Sequence, residues 1–214
     1  MARRTKADAQ TTRNNLLDAA EQLFQSRGVS HTSLNDIATA AGTTRGAIYW
    51  HFKDKADLFN AMMERVTLPM ENALLGGPPS ASDPLAHVRG ALLNALNLIA
   101  NDSQTRRVFE VITHKVEYVD ELSAVRERHL TVRDQCVKQL EDDLRAAARL
   151  RGHRLPVPAT LAARSLHAMV DGLIQNWLLD PDAFDLVATG RRALDTYAAG
   201  LGLGPAPATV RNRG

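Results

Sequence analysis

The chain has 214 residues, of which 44% are hydrophobic and 23% charged. These are ordinary values for a globular protein and argue against a chain that stays unfolded. No apolar run approaches the roughly 20 residues of a membrane span. The basic, polar first ten residues do not read as a secretory signal. A lone cysteine, Cys136, excludes an intramolecular disulfide and an all-cysteine metal site, and fits a reducing cytoplasm. Aromatics are only 5% while alanine and leucine abound, which favours helices over strands. Net charge is +2 but unevenly placed: residues 1–55 hold eight Lys and Arg against five acids, and the remainder 18 against 19. A basic head on a nearly neutral body points to a polyanionic partner, although a merely solvated charged surface has the same pattern.

In chain order, Leu16, Leu17, Ala19, Ala20, Leu23 and Phe24 form the stripe of an amphipathic helix over 12–27, ended by Gly28. Ser33 caps a short helix from Leu34 to Ala41, and Gly42 ends it. Thr43 or Thr44 caps a second short piece running to about His51. Asp54 caps a longer helix from Lys55 to about Leu75, in which Pro69 removes a backbone donor and predicts a kink. Glycine and proline at 76–80 mark a linker. Further helices are expected over 84–101, 104–116, 120–151, 158–179 and 184–200. A tail from Gly202 lacks periodicity and is expected to be disordered. The fold class is all-α, with about nine helices. The expected domains are an arm and helix-turn-helix over 1–54, a ligand-binding and dimerisation domain over 55–201, and the tail over 202–214.

Residues 33–52 carry the chemistry. Two short helices that cross closely need a small residue at the crossing, and Ala38 supplies it; the turn between them needs positive φ, and Gly42 supplies that. Leu34, Ile37, Ala41, Ile48 and Phe52 are apolar anchors at helical spacing. Thr44, Arg45, Gly46, Tyr49, Trp50 and His51 remain outward on the second helix. Arginine and threonine bond base edges and phosphates, tyrosine donates to phosphate, and a glycine lets backbone approach. A generic helical hairpin with an aromatic patch is the bland alternative. Four consecutive ring residues, Tyr49 to Phe52, cannot all face inward from one helix, and the outward ones adjoin Lys53 and Lys55.

The stretch TRGAIYWHFKDKADLF over 44–59 resembles the signature of TetR-family repressors, as do SLNDIATAAG over 33–42 and LLDAAEQLF over 16–24. The start, ARRTKADAQTTR over 2–13, and two later stretches, HKVEYVDEL over 114–122 and DGLIQNWLLDP over 171–181, are similar to the AcrR-type subgroup, which represses multidrug efflux pump genes. The resemblance implies a transcriptional repressor without enzymatic activity or cofactor, a homodimer on palindromic double-stranded operator DNA, released by an apolar or cationic small molecule such as an antibiotic or dye. The alternative it leaves is a regulator of the same family serving another pathway, under metabolite or protein control. The implied DNA-contacting residues are Thr32, Ser33, Thr44, Arg45, Gly46, Tyr49, Trp50, His51, Lys53 and Lys55, with Lys55 meeting a phosphate at a helix N-terminus and Arg3, Arg4 and Lys6 forming a basic arm.

In the C-terminal half, residues 159–179 are apolar on more than one face, so that helix is expected to be buried on two sides, one of them against a second copy. Trp177, Phe184, Leu194 and Tyr197 are the candidate seam. Candidate ligand-lining residues are Met63, Val66, Thr67, Met70, Leu92, Leu96, Phe109, Thr113, Cys136, Leu140, Val170 and Asp171, each of which is also a plausible core residue. Asp171, on an apolar stretch, is expected to be a buried carboxylate needing a cationic ligand or an internal arginine. Glu110, His114 and Glu117 share a helical face but lack a second histidine, a pattern common among surface pairs, so no metal is expected there.

Overall fold

The computed structural model describes residues 6–75 and 83–204. Within them the chain forms α1 (Lys6–Arg27), α2 (Leu34–Ala40), α3 (Arg45–His51), α4 (Lys55–Leu75), α5 (Pro84–Asn101), α6 (Ser103–His114), a 3-10 turn (Asp120–Leu122), α7 (Ser123–Leu150), α8 (Ala159–Leu179) and α9 (Leu186–Gly200). No strand occurs among the described residues. The all-α expectation is therefore met. Arg3 and Arg4 of the basic arm, the linker at 76–80 and the tail beyond Gly204 lie outside the described residues.

The described residues divide into two compact units, 6–72 with 97–134 and 73–96 with 135–204. This differs from a boundary after Asp54. Helices α1, α2, α3, α4 and α6 share one apolar core, so most of α4 belongs with the helix-turn-helix. Phe24, Phe52, Phe59, Leu16, Leu58, Met62 and Val111 are essentially solvent-free in it, and Phe24 and Phe59 pack with ring centroids 5.9 Å apart. Each such side chain contributes roughly 1.5–3 kcal/mol on burial.

The same unit buries a carboxylate. Glu21 of α1 is 2% exposed and is bonded by Arg65 of α4. It also accepts from Gln104 Nε2 at 3.1 Å and faces Arg107 Nε at 3.6 Å, both on α6. Arg65 reaches Asp18 as well, at 2.7 Å. A desolvated charge is tolerable when ringed in this way. Further along, Gln25 donates to Glu110 at 2.8 Å and Ser30 to Glu117 at 3.2 Å. The Val29 N–H donates to the Lys115 carbonyl at 3.0 Å. Glu110 and Glu117 are thus engaged on α1 and the loop after it. Helix α4 runs unbroken through Pro69, and Arg128 of α7 grips it at Glu71 (3.2 Å) and Glu64 (3.7 Å).

The second unit packs α8 and α9 over parts of α5 and α7. Gly190 of α9 lies against Leu96 of α5 so closely that a Cβ there would come within 2.2 Å of Leu96 Cδ1. The Tyr197 hydroxyl donates to the Ala162 carbonyl at 2.8 Å, tying α9 to α8. Leu203 is fully buried and Leu201 nearly so. The packed chain therefore continues past Gly202, where a disordered tail was expected to begin, because Leu203 finds an apolar seat.

Candidate nucleic-acid interface

The helix-turn-helix is assembled by local capping. Ser33 and Asp36 form a reciprocal capping box at the start of α2: the Asp36 N–H donates to Ser33 Oγ at 3.2 Å and the Ser33 N–H to the Asp36 carboxylate at 2.9 Å. Hydrogen bonds from the Ser33 hydroxyl and then the Ser33 N–H hold the Asp36 carboxyl below the usual carboxylate range. Ile37 and Ala38 face the core, and Ala38 gives its carbonyl to the Thr43 N–H at 2.9 Å. Gly42 makes the turn at φ 65°, a backbone region that side-chain-bearing residues seldom adopt. Thr44 then caps α3 by accepting from the Ala47 N–H at 3.2 Å.

Only Ile48 of α3 is buried, with Phe52 just after it. Arg45, Gly46, Tyr49 and Trp50 point outward, Tyr49 at 48% and Trp50 at 75% exposure. His51 is half-buried, its ring edge-on to Trp50 with centroids 4.8 Å apart. The Arg45 guanidinium lies over the Tyr49 ring at 5.8 Å. Lys53 is exposed, while its backbone N–H donates to the Asp57 carboxylate at 2.9 Å. The outward set predicted on α3 is thus brought onto one surface, with Ser33 exposed at the start of α2.

Two predicted DNA contacts are not on that surface. Thr32 is 1% exposed, and its hydroxyl donates to the Gly28 carbonyl at 2.8 Å. Lys55 is 7% exposed, and its ammonium pairs with Glu121 at 3.2 Å. Position at a helix start signals capping or anion contact equally, and here packing between α4 and the 3-10 turn decides against a free cation.

The expected ligand lining divides between the units. Met63, Val66, Thr67, Met70, Phe109 and Thr113 belong to the first, where Met63 and Val66 are buried in its core. Leu92, Leu96, Cys136, Leu140, Val170 and Asp171 belong to the second, where Leu96 and Leu140 are solvent-free packing residues. Asp171 is not a buried carboxylate. It is exposed and accepts from the Gln175 side chain at 2.9 Å, because the buried row of α8 runs through Ala163, Leu166, Val170, Ile174 and Trp177.

Of the candidate seam, Trp177 and Leu194 are covered by their own chain, at 5% and 6% exposure, whereas Tyr197 donates its hydroxyl to α8 and lines the open groove between α8 and α9. Phe184 is half-buried. What α8 and α9 leave open is a groove of about 1350 Å³ lined by Leu161, Met169, Ala188, Arg192, Thr196 and others. Of the exposed large apolar side chains, Leu161 and Leu179 stand on α8. Apolar periodicity on two faces of α8 was visible in sequence; which face was spent inside the chain was not.

A capped pair of short helices, with a buried inner face and an outer face of arginine, tyrosine and tryptophan, is the working part of a DNA-binding transcriptional regulator. Residues 16–62 match the model of bacterial regulatory proteins of the tetR family. Residues 83–202 match the C-terminal region of MAATS-type transcriptional repressors. The chain is 40% identical over 209 residues to the HTH-type transcriptional regulator TtgR of Pseudomonas putida, covering 96% of this chain and 99% of that one. Its fold is similar to that of NalD, the secondary repressor of the MexAB-OprM multidrug efflux pump in Pseudomonas aeruginosa, with a TM-score of 0.81 and 36% identity over 92% of this chain and 98% of that one. It is also similar to the SmeT–triclosan complex, with a TM-score of 0.78 and 31% identity over 92% and 99%; SmeT is the repressor of the Stenotrophomonas maltophilia multidrug efflux pump SmeDEF. The chain belongs to the tetR family of bacterial transcriptional regulators.

Proposed function

We propose that the protein is a cytoplasmic homodimer that represses a multidrug efflux operon and leaves its palindromic operator when it binds an apolar or cationic small molecule. The observation that carries the DNA half is the outward face of α3. Arg45 is a fork for a guanine edge, Tyr49 and Lys53 are phosphate partners, and Gly46 admits the DNA backbone. Ser33, Thr44, Trp50 and His51 complete the surface. The efflux assignment draws on relatives similar over nearly the whole chain, NalD and SmeT, each named for repression of a multidrug efflux pump. The small-molecule half draws on the complex of SmeT with triclosan.

The dimer is proposed to form on the open groove of α8 and α9, with Leu161 and Met169 taking the place of the buried Trp177 and Leu194. Two recognition helices would then enter successive major grooves, with half-sites about 34–36 Å apart or a multiple of that. The test is fluorescence anisotropy on DNA flanking the protein's own gene and any adjacent pump operon, with Arg45→Ala beside the natural protein. The expected cost is about 1–3 kcal/mol, with relaxed preference at one base pair. An Arg45→Ala protein with unchanged affinity and preference would remove α3 from the interface.

A further inference from the structure

Arg45 carries the base contact of the proposed interface, yet little confines it. It is the first residue of α3 and is exposed, and its guanidinium enters no hydrogen bond or ion pair among the described residues. The α3 sequence RGAIYWH offers it no carboxylate. A Cβ built on the neighbouring Gly46 would meet nothing closer than Thr44 Oγ1 at 3.9 Å, so no bulk on that side narrows its rotamers. A long side chain so placed samples many orientations, and ordering it on a base edge subtracts from the affinity it gives.

One contact does narrow them. The residues one helical turn further on are Ile48, which is buried, and Tyr49. The Arg45 guanidinium lies over the Tyr49 ring, 5.8 Å from its centroid, inside the range at which a ring face attracts a cation. That attraction uses up no hydrogen-bond acceptor, so the arginine fork stays available to a base edge. The Tyr49 hydroxyl has no hydrogen bond among the described residues either, and the side chain is 48% exposed. Tyr49 therefore has two separable features, a ring face under Arg45 and a hydroxyl open to phosphate. A free arginine offered the wrong base swings to a phosphate or a neighbouring base and recovers part of the contact. One held over a ring recovers less, which penalises the wrong base.

We propose that Tyr49 is a positioning residue for base reading: its ring limits the orientations of the Arg45 guanidinium and so sharpens the choice of base, apart from any phosphate contact of its hydroxyl. The proposal rests on α3 being the DNA-contacting helix. It adds that discrimination at one base pair depends on the Tyr49 ring as well as on Arg45.

Tyr49→Phe keeps the ring and removes the hydroxyl; Tyr49→Leu removes both and keeps a good helix former. Both side chains are replaced on an exposed face, so the variants should fold, as circular dichroism melts check. The full-length proteins select from DNA duplexes with a randomised core of about 30 base pairs, long enough for two half-sites a helical turn apart. Affinities are then measured on the enriched duplex and on versions changed at the base pair where Arg45→Ala relaxes the preference. Tyr49→Phe is expected to weaken all duplexes alike and keep the preference. Tyr49→Leu is expected to lower the preference at that base pair about two- to fivefold, the size of an exposed cation–π contact. Added to Arg45→Ala, it should lower the preference no further. In the DNA-free protein labelled at arginine, the ring current should move the Arg45 δ-methylene protons upfield in the natural protein and in Tyr49→Phe, but not in Tyr49→Leu. Equal preference in Tyr49→Phe and Tyr49→Leu, no ring-current shift, or an effect of Tyr49→Leu that persists without Arg45 would each overturn the proposal while leaving α3 on the DNA. Arg45→Ala without effect on affinity or preference would overturn both.

Discussion

Lys53 and Lys55 stand two residues apart and differ in what surrounds them. Lys53 is exposed, whereas Lys55 is buried against Glu121. Removing a cation that neutralises one phosphate lowers the slope of log affinity against log salt by about one. Lys53→Ala is therefore expected to flatten the salt dependence of operator binding by about one, measured by anisotropy between roughly 50 and 200 mM salt, a range where such effects are large. Lys55→Ala should leave that slope alone and lower the melting temperature instead. The reverse pattern would show that the Lys55–Glu121 pair opens on DNA. Glu21 presents the opposite case, a charge that is wholly inside. Removing one partner of a buried ionic group costs about 3–5 kcal/mol, so Glu21→Ala, which leaves Arg107 and Gln104 facing an apolar gap, should lower unfolding free energy by about that much in a urea titration. The outward character of Arg45, Tyr49 and Trp50 was legible in sequence because Ile48 and Phe52 had already claimed the inner face of α3. The burial of Thr32 and Lys55 was not, since their partners Gly28 and Glu121 are chosen by tertiary packing that a local pattern does not encode.

At the scale of elements, helix starts are where sequence and structure agree best. Ser33 with Asp36, Thr44, Asp102 and Asp185 all cap as short polar side chains should. The caps also give a pH dependence. Asp36 and Asp102 have folded pKa values pulled down, Asp36 by Ser33 and Asp102 by hydrogen bonds with Thr105. A carboxyl with a lower pKa folded than unfolded contributes stability above its unfolded value, about 3.9, and loses it as pH falls through the folded value. Asp36→Asn is accordingly expected to be less stable than the natural protein at neutral pH, with the difference shrinking as pH falls through the folded pKa of Asp36, below the unfolded value, read from thermal melts on the acid side. A constant difference would assign the effect to packing. Pro69 predicts a kink in α4; the helix continues through Pro69, with Arg65 bound to Asp18 and Glu21 before it and Arg128 bound to Glu71 after it. A helix anchored on both sides of its proline moves with its unit. Pro69→Ala, which restores a backbone donor, should raise the melting temperature and leave the effect of any inducer on operator affinity unchanged.

At the scale of the whole molecule, repression by a helix-turn-helix protein requires two heads, because one short recognition helix touches too few base pairs to pick a site from a genome. Operator affinity should therefore depend on the α8–α9 groove, far in sequence from α3. Trp177→Glu would not test this. Trp177 belongs to the core of its own unit, and a charge there should unfold that unit rather than separate two copies. Met169 lines the groove and is only half-buried, so Met169→Glu is expected to keep the thermal transition, sediment as a monomer at micromolar concentration, and lose specific operator binding while retaining weak salt-sensitive binding to any DNA. A stable Met169→Glu dimer would move the interface elsewhere. With the dimer intact, inducer and operator compete by linkage: each must weaken the other by the same factor, and a coupling of about 1–3 kcal/mol corresponds to roughly 5–150-fold. Measuring an antibiotic or dye against free protein and against the protein–operator complex gives one factor, and measuring operator with and without saturating compound gives the other. A factor well above one, the same in both measurements, shows that inducer and operator oppose each other on the same protein. A compound that binds tightly yet leaves operator affinity unchanged has no differential affinity for the two states and is not an inducer, however well it fits.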